Sequence, residues 1–301
     1  QGNNPDGSRN TNFPMMVDVP NLIDYCLIPI FVGNRDGPLI ANGASPNNWF
    51  GSRPRDGSHG FRFFVHDFEH SLLSVSENRT GPYVAGNPVT GGGLLKSSPW
   101  YIWQQLQQNE NFRMQVADHV HRHFFNNGVL TTNACLDRFK ARTNQLDRAV
   151  VGESARWGDA NRATPYTRNV EWINIVNQTL INYFPQRSAI VLNQLKAKNL
   201  YPNVVAPAFN QHGGLMDAGF LLSISAPDGT IYFTTNGSDA RLPGGVISPT
   251  AQIYSAPISL PESTLVKARV FNGTNWSALN EAQFVVETFT SWTASYFTSN
   301  Q

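Results

Sequence analysis

The chain has 301 residues, a length that suits about two domains, each able to bury its own core. Its 22 basic and 21 acidic residues nearly cancel and only 14% of positions are charged, which excludes an electrostatic platform for nucleic acid or an anionic membrane. No run approaches the ~20 apolar residues of a membrane span, and the two cysteines, Cys26 and Cys135, lie far apart in no metal-ligand spacing, so they read as buried free thiols.

Residues 1–14, rich in Asn and Gly, read as a flexible surface arm. Gln1 stands where an initiator Met would, with no signal peptide, so the sequence reads as a processed or truncated piece. The stretch from Asp18 to Val32 predicts a helix. Asp18 or Pro20-Asn21 opens it, and Leu22, Tyr25, Cys26 and Ile30 share one stripe. Pro29 is expected to kink it and Gly33 to end it. Residues 34–60 are too rich in Gly and Pro for regular structure. Next comes Arg62–His70, Arg-Phe-Phe-Val-His-Asp-Phe-Glu-His. Phe63, Phe64 and Val65 are apolar on both parities, which predicts a short strand buried on both faces. Continued alternation would place Asp67 and Glu69 on one face and His66 and His70 on the other. Carboxylates leaving a buried strand are costly to desolvate without a cation or dense hydrogen bonding. This stretch and the polar segment Gly33–Trp49 are therefore expected to meet in one metal-dependent site.

Residues 74–98 read as a loop, most flexible at Gly91-Gly92-Gly93. Ser97-Ser98-Pro99 predicts a helix start, with Trp100, Trp103 and Leu106 as its stripe. A second helix, about Asn111–Phe125, carries Phe112, Val116, Val120 and Phe124 on one face and stops at Asn126-Asn127-Gly128. Thr131-Thr132-Asn133 opens a third with Leu136, Phe139, Leu146 and Val150, and residues 168–184 and 186–199 predict two more, divided at Pro185. After Leu200-Tyr201-Pro202 the pattern becomes short alternating runs: Phe220–Ser225, Thr230–Thr235, Ile253–Ser255, Leu265–Phe271 and Ala282–Val286. Pro227-Asp228-Gly229 and Asn236-Gly237 are hairpin-type turns. The expected fold is α+β: an arm (1–14), a mostly helical domain with one short buried strand (15–202), a small antiparallel β-sandwich (203–287) and a tail or linker (288–301).

These residues also resemble a known family. Asp18–Tyr25, the Gly33-Asn34-Arg35-Asp36 loop, Asn47-Asn48-Trp49 and Phe63–His70 together resemble the C-terminal half of spore-coat protein H (CotH-type) kinases, secreted atypical protein kinases of bacteria. Glu153–Asp159 resembles a segment of large secreted members of that group. The match covers roughly residues 15–200 and implies a fold like a kinase C-lobe. Residues Ala226–Gly229, Ile231–Asp239 and Val266-Lys267-Ala268-Arg269 resemble the fibronectin-III-associated, or chitobiase C-terminal-like, module, which implies a structural or accessory role beside secreted enzymes.

Carried over by position, the resemblance implies that Asp36 is the catalytic-loop Asp, Asn48 the catalytic-loop Asn that holds Mg²⁺, and Asp67 the second metal-binding Asp. Beside these, Asn34 could steady the Asp36 loop from the cofactor side, and Glu69 could be a further ligand or an acceptor behind the ligands. Phosphoryl transfer needs hard oxygen ligands around Mg²⁺ and a carboxylate to accept the hydroxyl proton. The implied cofactors are Mg²⁺ and ATP; outside the kinase reading, none or a structural divalent cation. Two departures qualify the likeness. Eleven residues separate Asp36 from Asn48, where kinase loops have about four, and no Gly-rich strand pair with a following Lys precedes Asp36. The implied partner is therefore an N-terminal lobe or other segment of a longer chain, and the chain alone is expected to be inactive. The implied location is extracellular or at the cell surface.

Other readings remain open. Gly-Asn-Arg-Asp-Gly is also ordinary turn chemistry, and Arg62, Arg53, Arg55 or Arg156 could neutralise Asp67 and Glu69 in a structural network. His66 and His70 could join a zinc site with the carboxylates, although packing is the commoner fate. Helical geometry divides His119, His121 and His123: His119 and His123 share the stripe side with Val116 and Val120 while His121 points elsewhere, which reads as a partly buried helix face. Asp67 and Glu69 at i, i+2 on a strand could serve a glycosidase, and Trp276, Tyr232 and Tyr254 could stack on sugar but read better as core. Glu153–Asp159 reads as a structural segment with an Arg–carboxylate pair and a buried Trp157. Two functional alternatives follow: an extracellular structural or adhesive subunit with protein partners, and a carbohydrate-binding or carbohydrate-active protein.

Overall fold

A computed structural model describes residues 10–38, 48–81, 98–217 and 219–286. Most of the expected arm, Asn47, Gly91-Gly92-Gly93 and the expected tail lie outside the described residues. The fold is α+β, and the described residues form two compact units: 12–109 with 123–199, and 110–122 with 200–286.

The first unit is built on helix α1 (Val19–Val32). Asp18 caps it, accepting from the Asn21 N–H at 3.1 Å, and Gly33 closes it in the left-handed conformation at φ 63°. Its burial is not confined to one stripe: Leu22, Ile23, Tyr25, Cys26, Leu27, Ile30 and Phe31 are all buried. Cys26 and Cys135 are buried free thiols, as expected. Pro29 lies within the helix, which runs on to Val32.

Two short antiparallel strands, β1 (Trp49–Ser52) and β2 (Arg62–Val65), pair with Phe50 opposite Phe64. The expectation of a strand buried on both faces is corrected: only Phe63 is buried, while Phe64 and Val65 are 41% and 42% exposed. A two-stranded ribbon has only one face to press on a helix. Phe63 takes that place beside Tyr25, with ring centroids 5.8 Å apart. The Asn21 side chain pairs with the Phe63 backbone in both directions, and Arg62 meets Asp18 at 2.7 Å. The N-terminal end of α1 thus fixes the ribbon.

Helix α2 (Pro99–Leu106), capped by Ser98, buries Trp100 and Trp103. Helix α3 spans Glu110–Phe124 and helix α4 Thr132–Trp157. In α4 only Cys135 and Thr143 are buried; Leu146 is exposed and Trp157 is 54% exposed. The buried Trp157 expected from the sequence is therefore corrected. At the last turn of a long helix, Trp157 lies beside the Arg156 guanidinium, 5.0 Å from the ring centre, and no carboxylate pairs with Arg156 among the described residues. The expected break at Pro185 is also absent. Helical residues run without interruption from Arg168 to Lys196 through α5 (Ile173–Gln178) and α6 (Phe184–Lys196). The turn Thr179–Tyr183, just ahead of Pro185, is a wider π-turn, which relieves the ring's clash with the preceding carbonyls.

The second unit centres on a five-stranded sheet in the order β4-β11-β10-β7-β8, made by β4 (Gly214–Leu215), β7 (Thr230–Thr234), β8 (Gln252–Ile253), β10 (Thr264–Phe271) and β11 (Asn280–Val285). Two small sheets, β3 (Ala208–Phe209) with β6 (Ile224–Ser225) and β5 (Leu221–Leu222) with β9 (Ile258–Ser259), add to it. Leu222, Ile224, Phe233, Val266, Ala268, Ala282 and Phe284 form the core between them. Neither expected turn closes a two-residue hairpin: β6 pairs with β3, and residues 235–251 separate β7 from β8.

The other face of the sheet is covered by residues 110–122 of α3. Lys267 and Arg269 alternate away from the core residues Val266 and Ala268. Arg269 is fully buried and holds two carboxylates, Asp118 at 2.7 Å and Asp239 at 2.6 Å. Burial alone would lower its pKa, but the two carboxylates outweigh that and raise it. Burial would raise Asp239, yet the Arg269 hydrogen bonds and charge hold it below the usual carboxylate value. Arg122 to Glu281 at 2.6 Å and Arg241 to Glu110 at 3.0 Å add pins. His119 is buried, in line with the helix-face reading, but His121, expected to point elsewhere, is buried as well, its Nδ1 2.9 Å from the Tyr201 hydroxyl.

Burial, and then the neighbouring His212 and Arg269, push the His121 pKa down to about 4. The native state thus favours neutral His121, so stability is full above about pH 6.5 and falls toward pH 4 as the unfolded chain takes up a proton. The expected loss from this group by pH 4 is on the order of 3 kcal/mol. Denaturant titrations across that window should show a flatter profile in His121→Gln; an unchanged slope would contradict this.

Candidate functional site

Two loops leave the elements fixed by α1. The first, Gly33-Asn34-Arg35-Asp36, follows α1 directly; the second, His66–His70, follows β2. The last four carbonyls of a helix have no intrahelical partner, and here each is taken. The Pro29 carbonyl accepts from Gly33 and Asn34, and that of Val32 accepts from the Leu72 N–H at 2.8 Å. Ile30 and Phe31 accept from the buried Arg187 at 2.7 and 2.6 Å, and Phe31 also from the Tyr183 hydroxyl. Arg187 donates to Val75 as well. Its charge lies at the negative end of the helix dipole. Burial draws its pKa below the usual guanidinium value, against the pull of Tyr183 and Glu77.

Asn34 is fully buried. Its amide donates to the Ser71 hydroxyl at 3.0 Å, and its oxygen accepts from the Asp36 N–H at 3.0 Å. The Arg35 N–H donates to the His70 carbonyl at 3.0 Å, so the two loops lie side by side. Outside them, Glu77 pairs with Arg35 at 2.8 Å and Arg79 at 3.0 Å. Gly37 is required by closeness: a Cβ there would lie 2.6 Å from the Asn34 oxygen.

Asn48 joins the loops from the ribbon side. Its side-chain amide donates to the Asp36 carbonyl at 2.9 Å, the Asp36 carboxylate at 3.1 Å and the Asp67 carbonyl at 3.3 Å. Asn48 and Asp67 flank the ribbon, and both adopt left-handed backbone, at φ 48° and 53°. For a residue with a side chain that conformation costs roughly 1 kcal/mol, least for Asn and Asp. The structure therefore brings together Asp36, Asn48 and Asp67. Asn34, expected on the cofactor side, holds the loop from beneath. The Asp67 carboxylate has no hydrogen bond or ion pair among the described residues, and none of Arg53, Arg55, Arg62 or Arg156 neutralises it or Glu69; Arg62 meets Asp18 instead.

The expected strand alternation through Asp67 and Glu69 is corrected. β2 ends at Val65, the turn at Asp67 breaks extended geometry, and Glu69 and His70 form a turn of their own, 3.4 Å apart. The geometric premise of the glycosidase reading goes with it. Trp276 is buried, donating to the Gly245 carbonyl at 2.7 Å, and is core rather than a sugar platform. Arg187 escaped sequence reading because a lone Arg on a helix carries no pattern.

Beside the site the outer face of the ribbon carries Phe50 and Phe64, stacked at 5.3 Å with His66 against the Phe50 edge; Phe50 is 51% exposed. A family model described as CotH kinase protein matches residues 2–191, and one described as Fn3 associated matches residues 220–282. No curated protein and no solved structure matches the chain.

Replacing Arg187 by Ala leaves the Ile30 and Val75 carbonyls without its donors and the Phe31 carbonyl with Tyr183 alone, and should cost about 3 kcal/mol of the first unit's stability in chemical denaturation. Arg187→Lys should recover little of this, since one ammonium cannot span them. Full recovery would show that charge alone matters. Asn48→Ala should cost about 1–2 kcal/mol and speed amide exchange at Asp36 and Asp67.

Proposed function

The chain belongs to the CotH kinase protein family, and from that premise we propose that Asp36, Asn48 and Asp67 form a phosphoryl-transfer site that works with Mg²⁺ and ATP. The observation that carries the reading is the Asn48 amide, which ties the carboxylate of one loop to the backbone of the other. An ordinary turn at Asp36 would not need an Asn 12 residues on that bonds both its carboxylate and the Asp67 carbonyl.

The donor set fits a hard cation. The Asn48 amide nitrogen is committed to the loops, which leaves its oxygen, and the Asp67 carboxylate is exposed. Mg²⁺, when bound by these two, supplies positive charge to the phosphate oxygens. Asp36 is half-buried and anchored through its backbone N–H and carboxylate, so it can accept the proton of an attacking hydroxyl without reorganising. Arg35 is turned to Glu77 and holds the loop.

Exposure of Phe50 and Phe64 supports the view that a further segment covers this face, because phosphoryl transfer needs a site closed to water. A covering lobe, in this protein or a longer one, is the partner we propose. Family membership supports an extracellular or cell-surface location. No helix among the described residues is long and apolar enough to cross a membrane.

Calorimetry should detect ATP binding that depends on Mg²⁺ and weakens roughly 10-fold or more in Asp67→Asn. Asp36→Asn should bind nucleotide as the parent does but lose about 10²–10⁴-fold in phosphotransfer. A folded chain with no Mg²⁺-dependent nucleotide binding would sink the proposal.

A further inference from the structure

Glu69 and His70 have no part in the site as described above, yet their side chains lie close to Asp36. One carboxylate oxygen each from Asp36 and Glu69 and a ring nitrogen of His70 lie within 4.8 Å of one another. We propose that these three residues form a second cation site, one that takes an imidazole-accepting ion such as Zn²⁺ in preference to Mg²⁺.

The three ligands come from two loops whose backbones are already locked. The Arg35 N–H donates to the His70 carbonyl at 3.0 Å, and Asn34 bonds Ser71 at 3.0 Å, so Asp36 and His70 are held opposite each other before any ion arrives. Ligands around tetrahedral zinc stand roughly 3.4 Å apart. Only the side chains of Glu69 and His70, 56% and 55% exposed, need turn to reach that spacing. The donor chemistry selects the ion. Two carboxylate oxygens and an imidazole with an open fourth position suit Zn²⁺, whereas Mg²⁺ prefers six oxygens in octahedral array and keeps its waters. The Asp67 carboxylate is not among the three, so this site differs from the one at Asn48 and Asp67. One consequence rests on the phosphoryl-transfer reading: an ion here occupies the Asp36 carboxylate and blocks proton acceptance, which makes the site inhibitory.

The test is calorimetric titration of the full chain with zinc chloride, without nucleotide, before and after excess magnesium chloride. The expected result is a zinc site that magnesium does not displace and that weakens roughly 10-fold or more in His70→Ala and in Glu69→Gln. His66→Ala and Asp67→Asn should retain it. Because Glu69 and His70 are more than half exposed, their replacement leaves the fold in place. Unchanged zinc affinity in both His70→Ala and Glu69→Gln, or an equal loss in Asp67→Asn, would overturn the proposal. Nucleotide binding is read without zinc, so each proposal can fail while the other stands.

Discussion

The first unit depends on how the C-terminal end of α1 is satisfied. Four carbonyls there must find donors, and a buried Arg187 serves two of them while reaching Val75 on the loop beyond. A guanidinium suits this task because its donors are fixed in a fork that contacts several oxygens at once. A buried charge is costly unless its donors are filled, and here the negative end of a helix supplies both acceptors and field. The Asp36 loop and the return of the second loop hang from this point. The Asp36 loop begins one residue after α1, and Leu72 closes the return of the second loop on Val32.

The opposite end of the same helix fixes the other half of the site. Asp18 and Asn21 hold β2 through Arg62 and the Phe63 backbone, and the ribbon carries Asn48 at its entry and Asp67 at its exit. One helix thus sets the spacing of all three residues, and Asn48 completes the arrangement by bonding both loops. Left-handed backbone on both flanks gives the ribbon its abrupt start and finish. The same turn at Asp67 takes Glu69 and His70 out of strand alternation and places them beside Asp36.

In the second unit the corresponding device is Arg269 with Asp118 and Asp239. The sheet has a core on one face, and the 110–122 segment of α3 covers the other through this buried group. Removing one partner of such a network is costly, whereas an apolar replacement of the whole can be neutral. His121 and Tyr201 extend the same layer.

What the sequence determined follows from local periodicity and cap chemistry. Asp18 and Gly33 marked the ends of α1, Ser98 opened α2, and the alternating runs after Leu200 marked β5–β8, β10 and β11, because these depend on neighbours within a few residues. Asp36, Asn48 and Asp67 were legible as a set only through their ordered family motifs. Tertiary structure decided the rest. Phe64 reads as core by composition but faces outward, since a two-stranded ribbon has only one partner helix. Pro185 reads as a helix break but is absorbed by the π-turn Thr179–Tyr183, whose Tyr183 hydroxyl donates to the Phe31 carbonyl. Arg187 and Arg269 carry no local pattern that announces burial; each is buried because acceptors more than 100 residues away in sequence converge on it. Periodicity reports which side of an element is apolar; only the folded chain decides what stands opposite.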